Sequence, residues 1–198
     1  YKILFREDLA SNIHLFKVEA PAVARKAQPG QFAVVRVDEK GERIPLTMAD
    51  WDGEEGAVTI VFAEVGTTTR KLAQLGAGDW VANFVGPLGL PTEVDRFGTV
   101  VCAGGCYGVA AIVPIVKVLK AAGNRVISII EAREKSLLVW GERLGEISDQ
   151  LIVTLSDGRP GSNGVYHPLG ELLERGEKID RVIAIGCTLM MMLCAETT

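Results

Sequence analysis

The sequence lacks most of what would commit it to nucleic acid, membrane or metal. Lys and Arg number 21 against 25 Asp and Glu, giving a net charge of −4 with no long basic run. The electrostatic footprint of a nucleic-acid binder is therefore missing. No stretch of about 18 uninterrupted apolar residues occurs, which argues against a membrane span. Aromatic residues make up only 6% of the chain. The four cysteines, Cys102, Cys106, Cys187 and Cys194, contain no C-x-x-C pair, so no zinc or iron–sulfur framework is indicated and the metal-ligand set is empty. Free thiols in a reducing compartment are the simplest reading, which places the protein in the cytoplasm. The two histidines, His14 and His167, lie near no serine–acid pair, and no H-E-x-x-H occurs, so hydrolytic triads and zincin chemistry are unsupported. Met190, Met191 and Met192 sit in an apolar segment and read as core rather than as a metal box.

What is abundant is glycine, with 22 in 198 residues, about 11% against a usual value of about 7%. The length allows one large domain or two small ones. No signal peptide opens the chain. The start at Tyr1 and the end at Cys194-Ala195-Glu196-Thr197-Thr198 both look abrupt, and a shortened chain is expected.

The two halves differ in grammar. Residues 1–95 read as six short strands separated by Gly, Pro and Asp, with a short helix over Thr67–Leu75. That spacing predicts a small antiparallel β-barrel or sandwich. From residue 96 to 198, strands alternate with helices. Strands are expected at Gly98–Ala103, Arg125–Glu131, Leu151–Leu155 and Arg181–Ile185. Helices are expected at Gly108–Ala121, Lys135–Gly145 and His167–Arg175, with one more opening near Thr188. This order predicts an α/β doubly wound parallel sheet. Its nearly all-apolar strands fit a sheet covered on both faces. The boundary is expected in Gly89–Asp95.

Six segments carry candidate chemistry. Val100–Ala103 runs into Gly104-Gly105-Cys106-Tyr107-Gly108-Val109-Ala110. This strand, Gly-rich turn and small-residue helix would let a backbone approach a pyrophosphate at a helix N-terminus. The spacing G-G-x-x-G departs from the strict G-x-G-x-x-G, and the alternative is a close strand–helix turn without a ligand. The second strand ends in Glu131-Ala132-Arg133: the acid could accept hydrogen bonds from a ribose, favouring NAD(H), whereas the arginine could hold a 2′-phosphate, favouring NADP(H). Ser156-Asp157-Gly158-Arg159 follows the third strand at the ligand-binding edge of such sheets. Gly186-Cys187-Thr188 closes the fourth strand, with Cys187 at a helix start. In the first half, Arg43-Ile44-Pro45-Leu46-Thr47 places a phosphate-grade cation four residues from a hydroxyl; an ordinary strand with an edge proline is the alternative. Val65-Gly66-Thr67-Thr68-Thr69 offers N–H groups and hydroxyls before the short helix, where a plain N-cap is the alternative.

Taken in order, R-x-P-x-T, V-G-x-x-T, the Gly86-Pro87-Leu88-Gly89 turn and G-G-x-x-G-x-A resemble the ferredoxin-reductase-like flavoproteins. The likeness is strongest to their FAD/NAD(P)-binding electron-transfer subunits, such as those of dihydroorotate dehydrogenase, sulfide dehydrogenase and NADH-dependent reduced ferredoxin:NADP oxidoreductase. The resemblance covers essentially the whole chain. It implies an FAD-binding domain over residues 1–95, with Arg43, Pro45, Leu46, Thr47, Phe62, Gly66, Thr67 and Thr68 at the flavin. It implies an NAD(P)H-binding domain over 96–198, with Gly104, Gly105, Gly108, Ala110, Glu131, Arg133, Asp157, Gly158 and Gly186 at the dinucleotide and Cys187 near the nicotinamide. Many relatives carry an aromatic residue where Pro45 stands, which removes ring stacking from the expectation. The implied activity is an NAD(P)H-dependent flavin oxidoreductase, moving a hydride between NAD(P)H and FAD. Electrons would then pass to a 2Fe-2S centre, whose cysteine ligands in the resembling subunits lie beyond the second domain and are not in this chain. The implied partners are a larger flavin/iron–sulfur oxidoreductase subunit and ferredoxin. A stand-alone NAD(P)H:flavin or ferredoxin reductase and a non-catalytic nucleotide-binding regulatory module are the alternatives.

Overall fold

A computed structural model describes residues 1–105, 107–155 and 164–198. The chain divides into two compact units, Tyr1–Thr92 and Glu93–Thr198.

The first unit is a six-stranded antiparallel sheet. Its strands are β1 (Ile3–Ala10), β2 (Ile13–Glu19), β3 (Phe32–Arg36), β4 (Arg43–Asp52), β5 (Ala57–Ala63) and β6 (Asn83–Leu88), in the spatial order β1-β2-β5-β4-β3-β6. β4 is the pivot. Its first half pairs with β3, from Arg36↔Arg43 to Phe32↔Thr47, and its second half pairs with β5 from Met48 onward. Pro45 falls in the half that pairs on one side only, where a missing N–H costs no ladder bond. Alternation along the strands buries Ala33, Val35, Met48, Ile60, Phe62 and Phe84 in one core, against which Ile44 and Leu46 also pack. The edges of the sheet meet through a Lys2↔Trp80 bridge and bonds such as Ile3 N–H to Asp79 C=O at 2.8 Å, with no β1–β6 ladder. The expected antiparallel six-stranded unit is present, and no ladder among the described residues shows it closed into a barrel. A four-residue helix not expected from the sequence, α1 (Pro21–Ala24), begins at a proline and buries Val23 and Ala24. Proline is tolerated there because first-turn N–H groups have no helical partner.

Buried His14 ties this unit together. One ring nitrogen lies 2.7 Å from Asp8 Oδ1 on β1, the other 2.8 Å from Glu64 Oε1 just beyond β5. The His14 contact is the main reason the Asp8 carboxyl sits below the ordinary carboxylate range. Glu64 leads directly into the turn before α2 (Thr67–Leu72).

The second unit is a parallel sheet of β7 (Thr99–Gly105), β8 (Arg125–Ala132), β9 (Gln150–Leu155) and β10 (Arg181–Ile185), ordered β10-β7-β8-β9. Along β7, Val100 and Cys102 face one core and Val101 and Ala103 the other. That is why the strand is continuously apolar. The first core includes α3 (Gly108–Ala121) and α4 (Gly141–Ile147); the second includes α5 (Tyr166–Glu174) and α6 (Thr188–Thr197). Asn124 locks the base of the unit, accepting from Phe97 and Gly98 N–H and donating to Leu119 and Asp95 C=O at 2.7–3.0 Å. The single helix expected over Lys135–Gly145 is instead a 3-10 turn (Lys135–Leu137) followed by α4, because Trp140 takes φ +56°, the left-handed region. A helix cannot run through that conformation. Among the described residues, no helix is long and apolar enough to cross a membrane.

Candidate functional site

In the first unit the candidate surface is the outward face of β4-β3-β6. Cross-strand pairing puts Arg43, Pro45 and Thr47 beside Arg36, Val34 and Phe32, with Asn83 and Val85 on the far side. Strand alternation turns these side chains away from the core formed by Ala33, Val35, Ile44, Leu46 and Phe84. The face is therefore apolar in its middle, at Val34, Pro45 and Val85, and cationic at one end, at Arg36 and Arg43. Val85 and Pro45 are exposed. Leu46 and Phe62, expected at the flavin, both turn their side chains toward the core. Leu46 packs against the core, and Phe62 is 1% exposed, edge-on to Phe16 with ring centroids 5.1 Å apart. Period-2 alternation sends a residue between Pro45 and Thr47 inward, so Leu46 presents only backbone to the face.

The second flavin motif lies alongside. Thr68 Oγ1 donates to Glu42 Oε2 at 3.1 Å, and Lys71 pairs with Asp38. These contacts hold the start of α2 against the β3–β4 hairpin. Thr69 Oγ1 accepts from Val65 and Gly66 N–H, each at 3.0 Å, so the helix start is closed by Thr69 rather than by Thr67 or Thr68. A Cβ on Gly66 would meet no atom within 4 Å, so its glycine leaves open backbone rather than relieving a clash.

In the second unit the candidate site is the carboxyl edge of the sheet between β7 and β10. The chain runs from β7 to β8 and β9 on one side and returns to β10 on the other. Such a switch point is where open α/β sheets bind ligands. Two helices start there, α3 at Gly108 and α6 at Thr188, and neither has a side-chain cap. Close approach explains the glycines. A Cβ on Gly108 would lie 2.7 Å from Ile185 O, and one on Gly104 would lie 2.6 Å from Ile112 Cδ1. Met190 spans two others: its Sδ would be 2.9 Å from a Cβ on Gly105 and 2.7 Å from one on Gly186. Ala110 is 2% exposed, so its small side chain is packed within the unit.

Glu131, at the end of β8, accepts the Val165 N–H on Oε2 at 2.9 Å, so one carboxylate oxygen holds the start of α5 in place. Arg133 is exposed beyond it. Asp157 and Gly158 lie outside the described residues. Cys187 is exposed at the N-cap of α6, whereas Cys102 and Cys194 are buried. Burial pushes the Cys102 thiol up to about 12, and burial aided by the Glu131 charge pushes Cys194 to about 11. Among the described residues no group of three or more His, Cys, Asp or Glu gathers to hold a metal. Sequence reasoning did not single out Arg36, because its importance lies in its cross-strand position.

A two-unit chain with an antiparallel sheet and a switch-point crevice defines the ferredoxin-reductase-like class. No family model matches the chain. It is 42% identical over 193 residues to a dihydroorotate dehydrogenase B (NAD(+)), electron transfer subunit homolog from Thermotoga maritima, covering 98% of this chain and 68% of that one. It is 36% identical over 171 residues to a probable dihydroorotate dehydrogenase B electron transfer subunit from Methanopyrus kandleri, covering 85% of this chain and 63% of the relative. The solved structure of an NADH-dependent reduced ferredoxin-NADP oxidoreductase superposes with TM-score 0.90 at 41% identity, over 99% of this chain and 71% of that one. Phthalate dioxygenase reductase shares the fold, with TM-score 0.74 at 17% identity. The chain belongs to the family of dihydroorotate dehydrogenase B electron transfer subunits and their homologues.

Proposed function

We propose that the protein is an NAD(P)H-dependent flavin oxidoreductase acting as an electron-transfer subunit. The carrying observation is that one chain holds both an apolar sheet face ending in two arginines and a glycine-lined switch point with two uncapped helix starts. The first suits a flavin nucleotide, whose ring is apolar and whose phosphate is anionic. The second suits the pyrophosphate of a nicotinamide dinucleotide.

The donor sets fit these cofactors. On the first unit Arg43 and Thr47 would hold phosphate and ribityl groups, Pro45 and Val85 would support the ring, and the open backbone at Gly66, Thr67 and Thr68 would approach the phosphates. On the second unit Gly104, Gly105 and Gly108 would bring the start of α3 to the dinucleotide. Gly186 and Cys187 would line the other wall. Glu131, with Arg133, would meet the adenosine side. A bound flavin supplies the interconversion of hydride and single-electron chemistry. The chain's residues supply binding and orientation, and no side chain is required as acid or base. The relatives' designation as electron-transfer subunits supports a larger oxidoreductase partner and onward transfer through a 2Fe-2S centre to acceptors such as ferredoxin. The absence of a disulfide among Cys102, Cys187 and Cys194 supports a cytoplasmic setting.

The test is a titration of the purified chain with FAD, followed by NADH and NADPH oxidation with an artificial acceptor. Stoichiometric flavin binding with dinucleotide oxidation is expected, and Arg43→Ala should lower flavin content about tenfold or more. A chain that takes up no flavin, or an Arg43→Ala variant with undiminished flavin content, would refute this assignment.

A further inference from the structure

The cationic end of the β4-β3-β6 face holds one arginine more than the R-x-P-x-T motif supplies. Arg36 on β3 stands directly opposite Arg43 on β4. Directly opposed residues in an antiparallel pair hold their Cβ atoms about 4.5–5.5 Å apart on one face, and like charges in that position destabilise the pair. Sheets avoid the arrangement unless something anionic offsets it.

The surroundings do not offset it. Arg43 is exposed and makes no ion pair among the described residues. Arg36 donates from Nη1 to Glu39 C=O at 3.3 Å, a long bond, and its Nε is buried with no acceptor. Of the nearby carboxylates, Asp38 pairs with Lys71 and Glu42 accepts from Thr68, and Glu39 forms no ion pair with either arginine among the described residues. Asn83, opposite Arg36 on β6, adds an amide donor to the same corner. Cations and donors from three segments of the unit thus converge with no acceptor of matching charge among the described residues.

We propose that Arg36 is a second phosphate-binding residue, and that Arg36 and Arg43 together take the phosphate portion of a flavin nucleotide between them. The inference rests on the flavin reading above and adds a residue to it. An anion between the two guanidinium groups turns a repulsive pair into an attractive one, and the planar forks of arginine suit phosphate oxygens. The arrangement also makes the corner costly when empty. Removing Arg36 should therefore help the flavin-free chain while harming the loaded one, an opposition of sign that a merely structural arginine would not produce.

The experiment compares the wild-type chain with Arg36→Gln and Arg36→Lys, each freed of flavin. FAD, FMN and riboflavin are titrated by flavin fluorescence, and thermal unfolding is followed without ligand. The Gln variant should bind FAD about ten- to a hundredfold more weakly, the loss of one charged hydrogen-bonding partner. Riboflavin, which has no phosphate, should bind within about twofold of wild type. The unfolding temperature of the flavin-free variant should equal or exceed that of wild type. The Lys variant should recover part of the FAD affinity, because it restores charge without the fork. Equal losses for FAD and FMN assign Arg36 to the phosphate next to the ribityl chain; a loss confined to FAD assigns it to the second phosphate. FAD and FMN binding at wild-type strength in the Gln variant overturns the inference and leaves the flavin reading intact. A matching loss for riboflavin also overturns it, since the arginine then acts through the fold. A wild-type chain that binds none of the three overturns both.

Discussion

Gly108 is the residue on which the switch-point site turns most directly. A Cβ there would sit 2.7 Å from Ile185 O, 3.3 Å from Ile185 C and 3.6 Å from Gly186 Cα. All three are backbone atoms at the end of β10, which is fixed by its register against β7. No side-chain rotation relieves the clash, so Gly108→Ala must part α3 from the β10–α6 turn by several tenths of an ångström. Overpacking of this kind costs about 1–3 kcal/mol. Alanine returns at most about 1 kcal/mol of helix preference, leaving a net loss of up to about 2 kcal/mol. For a unit of this size that lowers the unfolding temperature by up to about 10 °C. The displaced first turn carries the N–H groups proposed above for a pyrophosphate, so NAD(P)H affinity should fall about tenfold, or about 1.4 kcal/mol. Gly104→Ala is the control. Its Cβ would meet the tip of the Ile112 side chain at 2.6 Å, with the nearest backbone atom, Val109 Cα, at 3.4 Å. A rotamer adjustment of about 0.5–1.5 kcal/mol absorbs that. Differential scanning calorimetry and NADH titration of both variants read the comparison. A Gly104→Ala variant harmed as much as Gly108→Ala, or a Gly108→Ala variant with unchanged stability and affinity, would refute the reasoning.

Two further outcomes follow from the titratable groups. Lys120 donates to both carboxylate oxygens of Asp149 at 2.7 Å, and Val126 N–H donates to Oδ2 at the same distance. The Lys120 contact is the main cause that holds the Asp149 carboxyl below its ordinary value. A depressed folded-state value adds stability that is fully present above the unfolded-chain value of about 3.9 and is lost as pH falls through the lower folded value. Asp149→Asn should therefore be less stable near neutrality and show a flatter acid limb in urea unfolding between about pH 5 and 2; an unchanged limb would remove Asp149 from the account. With Cys102 pushed to about 12 and Cys194 to about 11, a thiol reagent near pH 8 should modify exposed Cys187 before either of them. Saturating NAD(P)H should slow that modification if Cys187 lines the dinucleotide site, as peptide mass spectrometry would show.

The alternation of apolar strands and helices after Phe97 announced a parallel sheet, and β7 to β10 appear in the expected order. Where the local pattern misled, a tertiary or backbone constraint had won. The helix expected over Lys135–Gly145 is broken by Trp140 in the left-handed region, which no apolar spacing reveals. Closure of the first unit is a separate matter, since it depends on strands far apart in sequence; among the described residues the Lys2↔Trp80 bridge and a few neighbouring bonds join the two edges. Motif position says nothing of burial, and the side chains of Phe62 and Ala110 are both buried.

Read alone, the sequence determined which segments turn tightly, which strands are buried on both faces and which glycine-rich turns precede helices, because these follow from local sterics and hydrophobic period. The tertiary structure decided which face each residue serves and which residues meet. It turned Leu46 inward and Arg43 outward, engaged one oxygen of Glu131 with Val165, and set Arg36 against Arg43. Pairing register is a long-range property. It follows from the whole core packing at once, so a cation-lined corner built from two strands becomes visible only when both are in place.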